Sequence, residues 1–219
     1  MAKAVQQDSL LREIDEDLRR ERYALLWKRY GWVVVTILVA LVLGVAGYEA
    51  WRNYEQRVHA GSSEQFAAAA ALADPAAAAG AFGTLAEEAP RGDEILARRR
   101  EAAMHVEKGD YPAAVSVYDK LAGETDDPLY SDLAVILKVM AEMRIAEAPA
   151  ARLAEQLAPL TAPDRPWQYS AKELSAHLAL RSGETEKARE LLTGLSDDVQ
   201  APEGIRTRAE EMLLEIGRA

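Results

Sequence analysis

Apolar residues follow two patterns along this chain. From Val33 to Gly47 they run on with only Thr36 between them, and no charged residue occurs between Arg29 and Glu49. Further on they recur at three- and four-residue spacing, in stretches of roughly twelve to eighteen residues that predict helices. Breakers separate these stretches at Gly109-Asp110, Asp126-Asp127-Pro128, Ala148-Pro149, Pro163 to Pro166, Gly183 and Pro202. No run alternates as a strand would. The pattern predicts an all-α chain made of helix pairs.

The uninterrupted segment predicts one membrane crossing. At ~1.5 Å per residue, Tyr30 to Tyr48 spans about 27–29 Å, the thickness of a bilayer's hydrocarbon core. Tyr30 and Trp32 precede it and Tyr48 and Trp51 follow it, an aromatic belt at both headgroup levels. Arg12, Arg19, Arg20, Arg22, Lys28 and Arg29 lie before the span, against Arg52 and Arg57 in the twenty residues after Gly47. That bias keeps the N-terminus in the cytoplasm and puts the rest across the membrane. Gly44-Val45-Ala46 offers small residues for a cleaved signal peptide as the alternative. The mixed-charge leader and the double belt favour an uncleaved signal anchor. Ala40, Gly44 and Gly47 bring small residues together as a candidate face for packing another transmembrane helix.

Four segments result. Residues 1–29 form a cytoplasmic amphipathic segment, with Leu10, Leu11, Ile14, Leu18 and Leu25 at helical spacing and Asp15/Arg19 and Glu16/Arg20 as pairs one turn apart. Residues 30–51 form the transmembrane anchor, 52–62 a helical extension and hinge, and 63–219 the helical domain across the membrane. The hinge rests on Gly61-Ser62-Ser63, with Ser62 and Gln65 reading as a capping box for a new helix. The alanine-rich block over 67–81 reads as two helices meeting at Asp74-Pro75, an N-cap followed by proline in the first turn.

Charge narrows the partners. Residues 52–219 carry 19 basic and 29 acidic groups, a balance that repels nucleic acid. The chain has no cysteine, which removes disulfides and thiolate metal sites and suits an oxidising compartment. His59, His105 and His177 are far apart in sequence and lack metal-binding spacing. There is no nucleophile elbow and no phosphate-binding loop. The doublets Glu87-Glu88, Asp126-Asp127 and Asp197-Asp198 fall at helix ends, where charge stays solvated. Arg98-Arg99-Arg100 likewise reads as a solvated face. The expectation is a non-enzyme with no cofactor, metal, nucleic acid or small-molecule substrate.

Two stretches superpose. Gly109, Ala114, Tyr118 and Leu121 follow Lys108 at the same offsets at which Gly183, Ala188, Leu192 and Leu195 follow Ser182, with Tyr111 in the first stretch where Thr185 stands in the second. Glycine allows the tight turn, alanine the close crossing, and the larger residues fill the pair's core. The two glycines are 74 residues apart, room for one more pair, Pro128 to Leu160, which lacks the turn glycine but keeps the lengths, with small residues near Ala150 or Ala151. These features resemble the tetratricopeptide turn. Trp167, opening the next helix with Tyr169 behind it, reads as filler for the seam between pairs.

The order of parts, a charged N-terminus, one anchor, an alanine-rich helical pair and three tetratricopeptide-like units, resembles the YfgM-like ancillary subunits of the bacterial SecYEG translocon. Trp167 to Leu192 carries the sharpest local likeness. The resemblance implies a single-pass bacterial inner-membrane protein with a helical-hairpin solenoid in the periplasm, beside the translocon and assisting periplasmic chaperones. An anchored scaffold for another envelope assembly, such as cytochrome c maturation, fits the same parts.

Overall fold

The computed structural model describes residues 2–90 and 92–218, with side chains over 27–90 and 92–217. Among the described residues nine α-helices follow one another: α1 (Ala2–Ala70), α2 (Pro75–Glu88), α3 (Asp93–Lys108), α4 (Tyr111–Glu124), α5 (Pro128–Glu142), α6 (Ala150–Leu157), α7 (Gln168–Arg181), α8 (Thr185–Asp197) and α9 (Glu203–Arg218). A 3₁₀ turn, Ala158–Thr161, extends α6, and no strand occurs among the described residues. The chain divides into two units, Met1–Arg57 and Val58–Ala219.

In the first unit, one helix is long and apolar enough to cross a membrane. Its large apolar side chains are unburied: Ile37, Leu38, Leu41, Val42 and Leu43 are all more than half exposed. Thr36 donates its hydroxyl proton to the Trp32 carbonyl oxygen at 2.8 Å, so the hydroxyl that interrupts the apolar run is satisfied within the helix. The amphipathic side-chain pattern predicted for residues 1–26 lies outside the described side chains.

The second unit begins with the last turns of α1, and here one expectation is corrected. The helix passes straight through Gly61-Ser62-Ser63, so no hinge and no new N-cap occur there. Ser62 and Ser63 instead donate back to the carbonyl oxygens of Val58 (3.2 Å) and His59 (2.8 Å). The helix is held because Phe66 and Ala69 dock onto Ala78 and Phe82 of α2, and Phe66 and Phe82 meet edge to face with centroids 5.0 Å apart. That contact outweighs the ~1 kcal/mol by which glycine trails alanine in a helix. At Asp74, by contrast, the cap is as expected: its carboxylate accepts from the Ala76 and Ala77 amides, both at 3.2 Å.

Three pairs follow, α3/α4, α5/α6 and α7/α8, with α9 closing the end. Gly109 and Gly183 both adopt left-handed backbone, φ +81° and +78°, where a side chain is strained. The glycines therefore divide cleanly by role. Gly61→Ala should stabilise the fold by about 0.5–1 kcal/mol, since an added methyl meets nothing within 4 Å. Gly109→Ala and Gly183→Ala should each cost about 1–2 kcal/mol. Urea titrations of the three variants check the sign; a destabilised Gly61→Ala would restore the hinge.

The middle pair lacks a turn glycine and solves the turn differently. The chain leaves α5 through a longer right-handed link with no positive φ among its residues. Arg181 of α7 donates to the carbonyl oxygens of Met143 (3.0 Å) and Ala148 (3.3 Å), fastening that link. Glu142, buried, accepts from Arg152 and Gln156 of α6 at 2.8 and 2.9 Å. Buried Asp132 pairs with Arg165 before α7. Leu153, Leu157 and Leu160 fill the pair's core with Ile136, Val139 and Leu178. Of the two small residues singled out in this pair, Ala150 packs against this core and Ala151 faces out.

Arg98 needs a second correction. Its side chain is only 6% exposed, and it reaches Glu94 at 3.2 Å, Glu87 of α2 at 3.2 Å and Glu124 of α4 at 2.9 Å. Arg99 and Arg100 are exposed. Successive residues point about 100° apart on a helix, so one of three turns inward, where α3 lies between α2 and α4. Glu87 is therefore more than solvated: Lys120 first, then Arg98, hold its carboxyl below the ordinary range by hydrogen bonding.

On the α2 side of α3, Glu101 lies against Gly83, and burial raises its carboxyl above the ordinary glutamate range, with the charges of His105 and Arg98 offsetting part of the rise. The native state thus holds this proton more tightly than the unfolded chain. Its contribution to stability is fully present below about 4.5 and is lost as pH rises through the folded value. Glu101→Gln is expected to stabilise the domain at pH 7 and to flatten its stability profile above that range. Urea midpoints at pH 4 and pH 7 test this; an equal gain at both would remove ionisation as the cause.

Candidate interaction surface

Helix α3 touches α5, and α7 touches the closing helix α9. Helix α5 carries more apolar surface than its core contacts consume. Val139 is fully buried in the core, while Leu133, Ile136, Leu137 and Met140 line a cleft of about 370 Å³ whose opposite wall is Leu174 and His177 of α7. Met140 is 50% exposed. Arg208 of α9 closes one side, held by both Glu173 oxygens at 2.6 and 2.8 Å, which raises the guanidinium's pKa.

Leu137 and Met140 also border a second cleft, of about 420 Å³, where α3, α4 and α5 meet. Val106, Tyr111 and Tyr118 form its other walls, with Arg144 at the lip. A third, smaller hollow of about 190 Å³ lies between Ser62 and Phe66 of α1 and Leu96 of α3. Met140 thus stands as an exposed apolar ridge between two hollows. Such a relief suits an extended or helical protein segment with alternating anchors.

The residues singled out from the sequence divide among three roles. Tyr30, Trp32, Tyr48 and Trp51 lie on α1 with exposures of 51%, 71%, 66% and 70%. Ala40, Gly44 and Gly47 share one side of the same helix, and a methyl added at either glycine meets nothing within 4 Å. Ala114, Ala188 and Leu192 are fully buried and Tyr118 is 4% exposed, so these residues form the pair cores below the clefts. Tyr118 alone also borders a cleft, and burial raises its hydroxyl's pKa. Tyr111, half-buried, opens α4, and the Arg144 guanidinium lies 5.6 Å from its ring centroid.

Trp167 sits at the start of α7 against the core of the middle pair, its indole N–H donating to the Leu129 carbonyl oxygen at 2.8 Å. Tyr169 packs instead against the α8–α9 core. The histidines stay on separate helices. His59 meets Asp93 at 2.8 Å, His105 keeps a buried Nδ1 without a partner, and His177 borders the α5–α7 cleft. Among the described residues no group of His, Asp and Glu converges as a metal-ligand set.

Leu133, Leu137, Met140, Leu174 and Arg144 were not singled out by sequence reasoning. One signal was available: from Leu129 to Met140 only Ser131, Asp132 and Lys138 are polar, so α5 is apolar on more than its buried side.

No curated protein and no solved structure was found to match the chain. A family model does match, that of the tetratricopeptide repeat-like domain, over residues 25–202. With its stacked helix pairs, left-handed turn glycines and buried alanine crossings, the chain belongs to the tetratricopeptide repeat-like domain family.

Proposed function

We propose that the protein is a non-catalytic, membrane-anchored scaffold that holds other proteins in the clefts along α5. The exposed ridge at Met140 between two apolar hollows carries this reading, because helical-repeat domains use such faces for protein segments. The exposed apolar side chains of α1 supply the anchor, with residues 30–51 in the bilayer, residues 1–29 cytoplasmic, and the helical domain over 63–219 in the periplasm of a bacterial inner membrane. Confinement to a membrane raises the effective concentration of partners, to the order of millimolar for short tethers, so weak cleft contacts suffice.

The resemblance to YfgM-like subunits extends the reading to a place beside the SecYEG translocon, where the domain would gather periplasmic chaperones and emerging chains. Photo-cross-linking in cells from Val39 and Leu43 of α1 and from Trp167 tests it. Translocon subunits at the membrane positions, with chaperones or nascent chains at Trp167, are expected. Adducts from a different envelope assembly, such as cytochrome c maturation, with no translocon subunit above background would replace the translocon by that assembly.

A further inference from the structure

We propose that the cleft where α3, α4 and α5 meet selects acidic partner segments, seating one apolar side chain with Asp or Glu beside it; this rests on the scaffold reading above. The walls are Val106, Tyr111, Tyr118, Leu137 and Met140, and no lining residue is acidic. Arg144 stands exposed at the lip, over the Tyr111 ring. Arg99 faces outward from α3, close enough for its charge to act on Tyr118. Among the described residues neither arginine, nor Arg100, has a carboxylate within 4.0 Å.

This is unusual for the unit, which carries ten more acidic than basic groups over 52–219. Many of its cations are already paired, among them Arg98, Lys120, Lys138, Arg152 and Lys187. Acids near the cleft are engaged elsewhere. Asp110 caps α4 through the Ala113 amide, Asp119 pairs with Lys138, and Glu142 with Arg152. Glu107 of α3 is exposed and follows Val106, one position further round the helix. On the far side of Met140 the balance differs, because Glu173 and the charge of Glu211 neutralise Arg208. Arg181 and Arg206 also lack a carboxylate but donate to backbone carbonyl oxygens, and Lys172 reaches Gln168, whereas among the described residues Arg99, Arg100 and Arg144 at the α3–α5 end have no hydrogen-bonded partner of either kind. Guanidinium is weakly hydrated and matches a carboxylate with two parallel hydrogen bonds, so a partner's Asp or Glu beside an apolar anchor is the complementary chemistry.

The test uses the full chain in detergent micelles and three labelled peptides of one leucine and phenylalanine pattern, with Glu, Gln or Lys at every polar position. Fluorescence anisotropy should show the Glu peptide binding at least about tenfold tighter than the Gln peptide and the Lys peptide weakest, with the gaps narrowing as salt rises. Arg99→Glu combined with Arg144→Glu, both on exposed side chains, should invert the order while circular dichroism stays unchanged. Equal affinity for all three peptides, or an order that survives the double reversal, overturns the charge selection. Equal affinities that Met140→Glu abolishes would do so while leaving the scaffold reading intact. Binding of none of the three also overturns the selection, and the scaffold reading then stands or falls on the cross-linking from Trp167.

Discussion

Phe82→Ala is expected to cost about 3–5 kcal/mol and to release α2 from the end of α1. The ring is 1% exposed and packs edge to face on Phe66, with Ala69, Ala78, Ala81 and Met104 around it. The size of the effect follows from those neighbours. Alanines have no rotamers with which to refill a lost ring, so most of the cavity would persist, and persistent cavity volume separates costly truncations from mild ones. Phe82→Leu, which keeps most of the volume, should cost much less. Urea unfolding of the full chain followed by circular dichroism gives the loss, and amide exchange over 75–88 shows where it falls. A change under about 1 kcal/mol would mean that alanine contacts alone dock α2.

Arg98→Ala carries the second large effect, about 2–3 kcal/mol, whereas Arg99→Ala one residue along should stay within about 0.5 kcal/mol. Three carboxylates from α2, α3 and α4 converge on Arg98, and removing it leaves them facing one another. The cost falls below the ~3–5 kcal/mol of a wholly buried pair because Glu87 and Glu124 keep contact with water. Arg98→Lys should recover only part of the loss, since an ammonium holds its three donors at one point and does not spread them as the planar guanidinium does toward carboxylates on three helices. Comparable unfolding midpoints for the Arg98 and Arg99 alanine variants would show that the network adds nothing.

Those two sites show what the amino-acid pattern reveals and what it hides. The turns at Gly109 and Gly183, the cap at Asp74 and the buried alanines at 114 and 188 were legible because each is a local requirement, tied to a backbone angle or a crossing distance. Arg98 was not. Its inward turn depends on which side of α3 the neighbouring helices occupy, and Glu87 and Glu124 are 11 and 26 positions away in sequence. Gly61-Ser62-Ser63 misled for the same reason in reverse: the local signs of a break are real, but Phe66 and Ala69 are docked from outside the segment.

The surface along α5 falls between these cases. Its excess of apolar residues can be read from the chain, yet the clefts on either side of Met140 are made by Tyr111, Tyr118 and Leu174, which only the stacking of pairs brings near. Where no glycine stood, the sequence pointed to small residues at Ala150 or Ala151. The turn is held instead by Arg181, from 33 positions beyond Ala148.

The central claim, that partner proteins bind along α5, is tested most directly by affinity purification of the full chain from membranes with quantitative mass spectrometry, comparing wild type, Met140→Glu and Val199→Glu. Both side chains are at least half exposed, so neither change should disturb folding, but Met140 borders both clefts and Val199 neither. The account predicts that Met140→Glu depletes the co-purifying partners at least about tenfold, equivalent to ~1.4 kcal/mol, and that Val199→Glu retains them. Partners retained in full by Met140→Glu would contradict it.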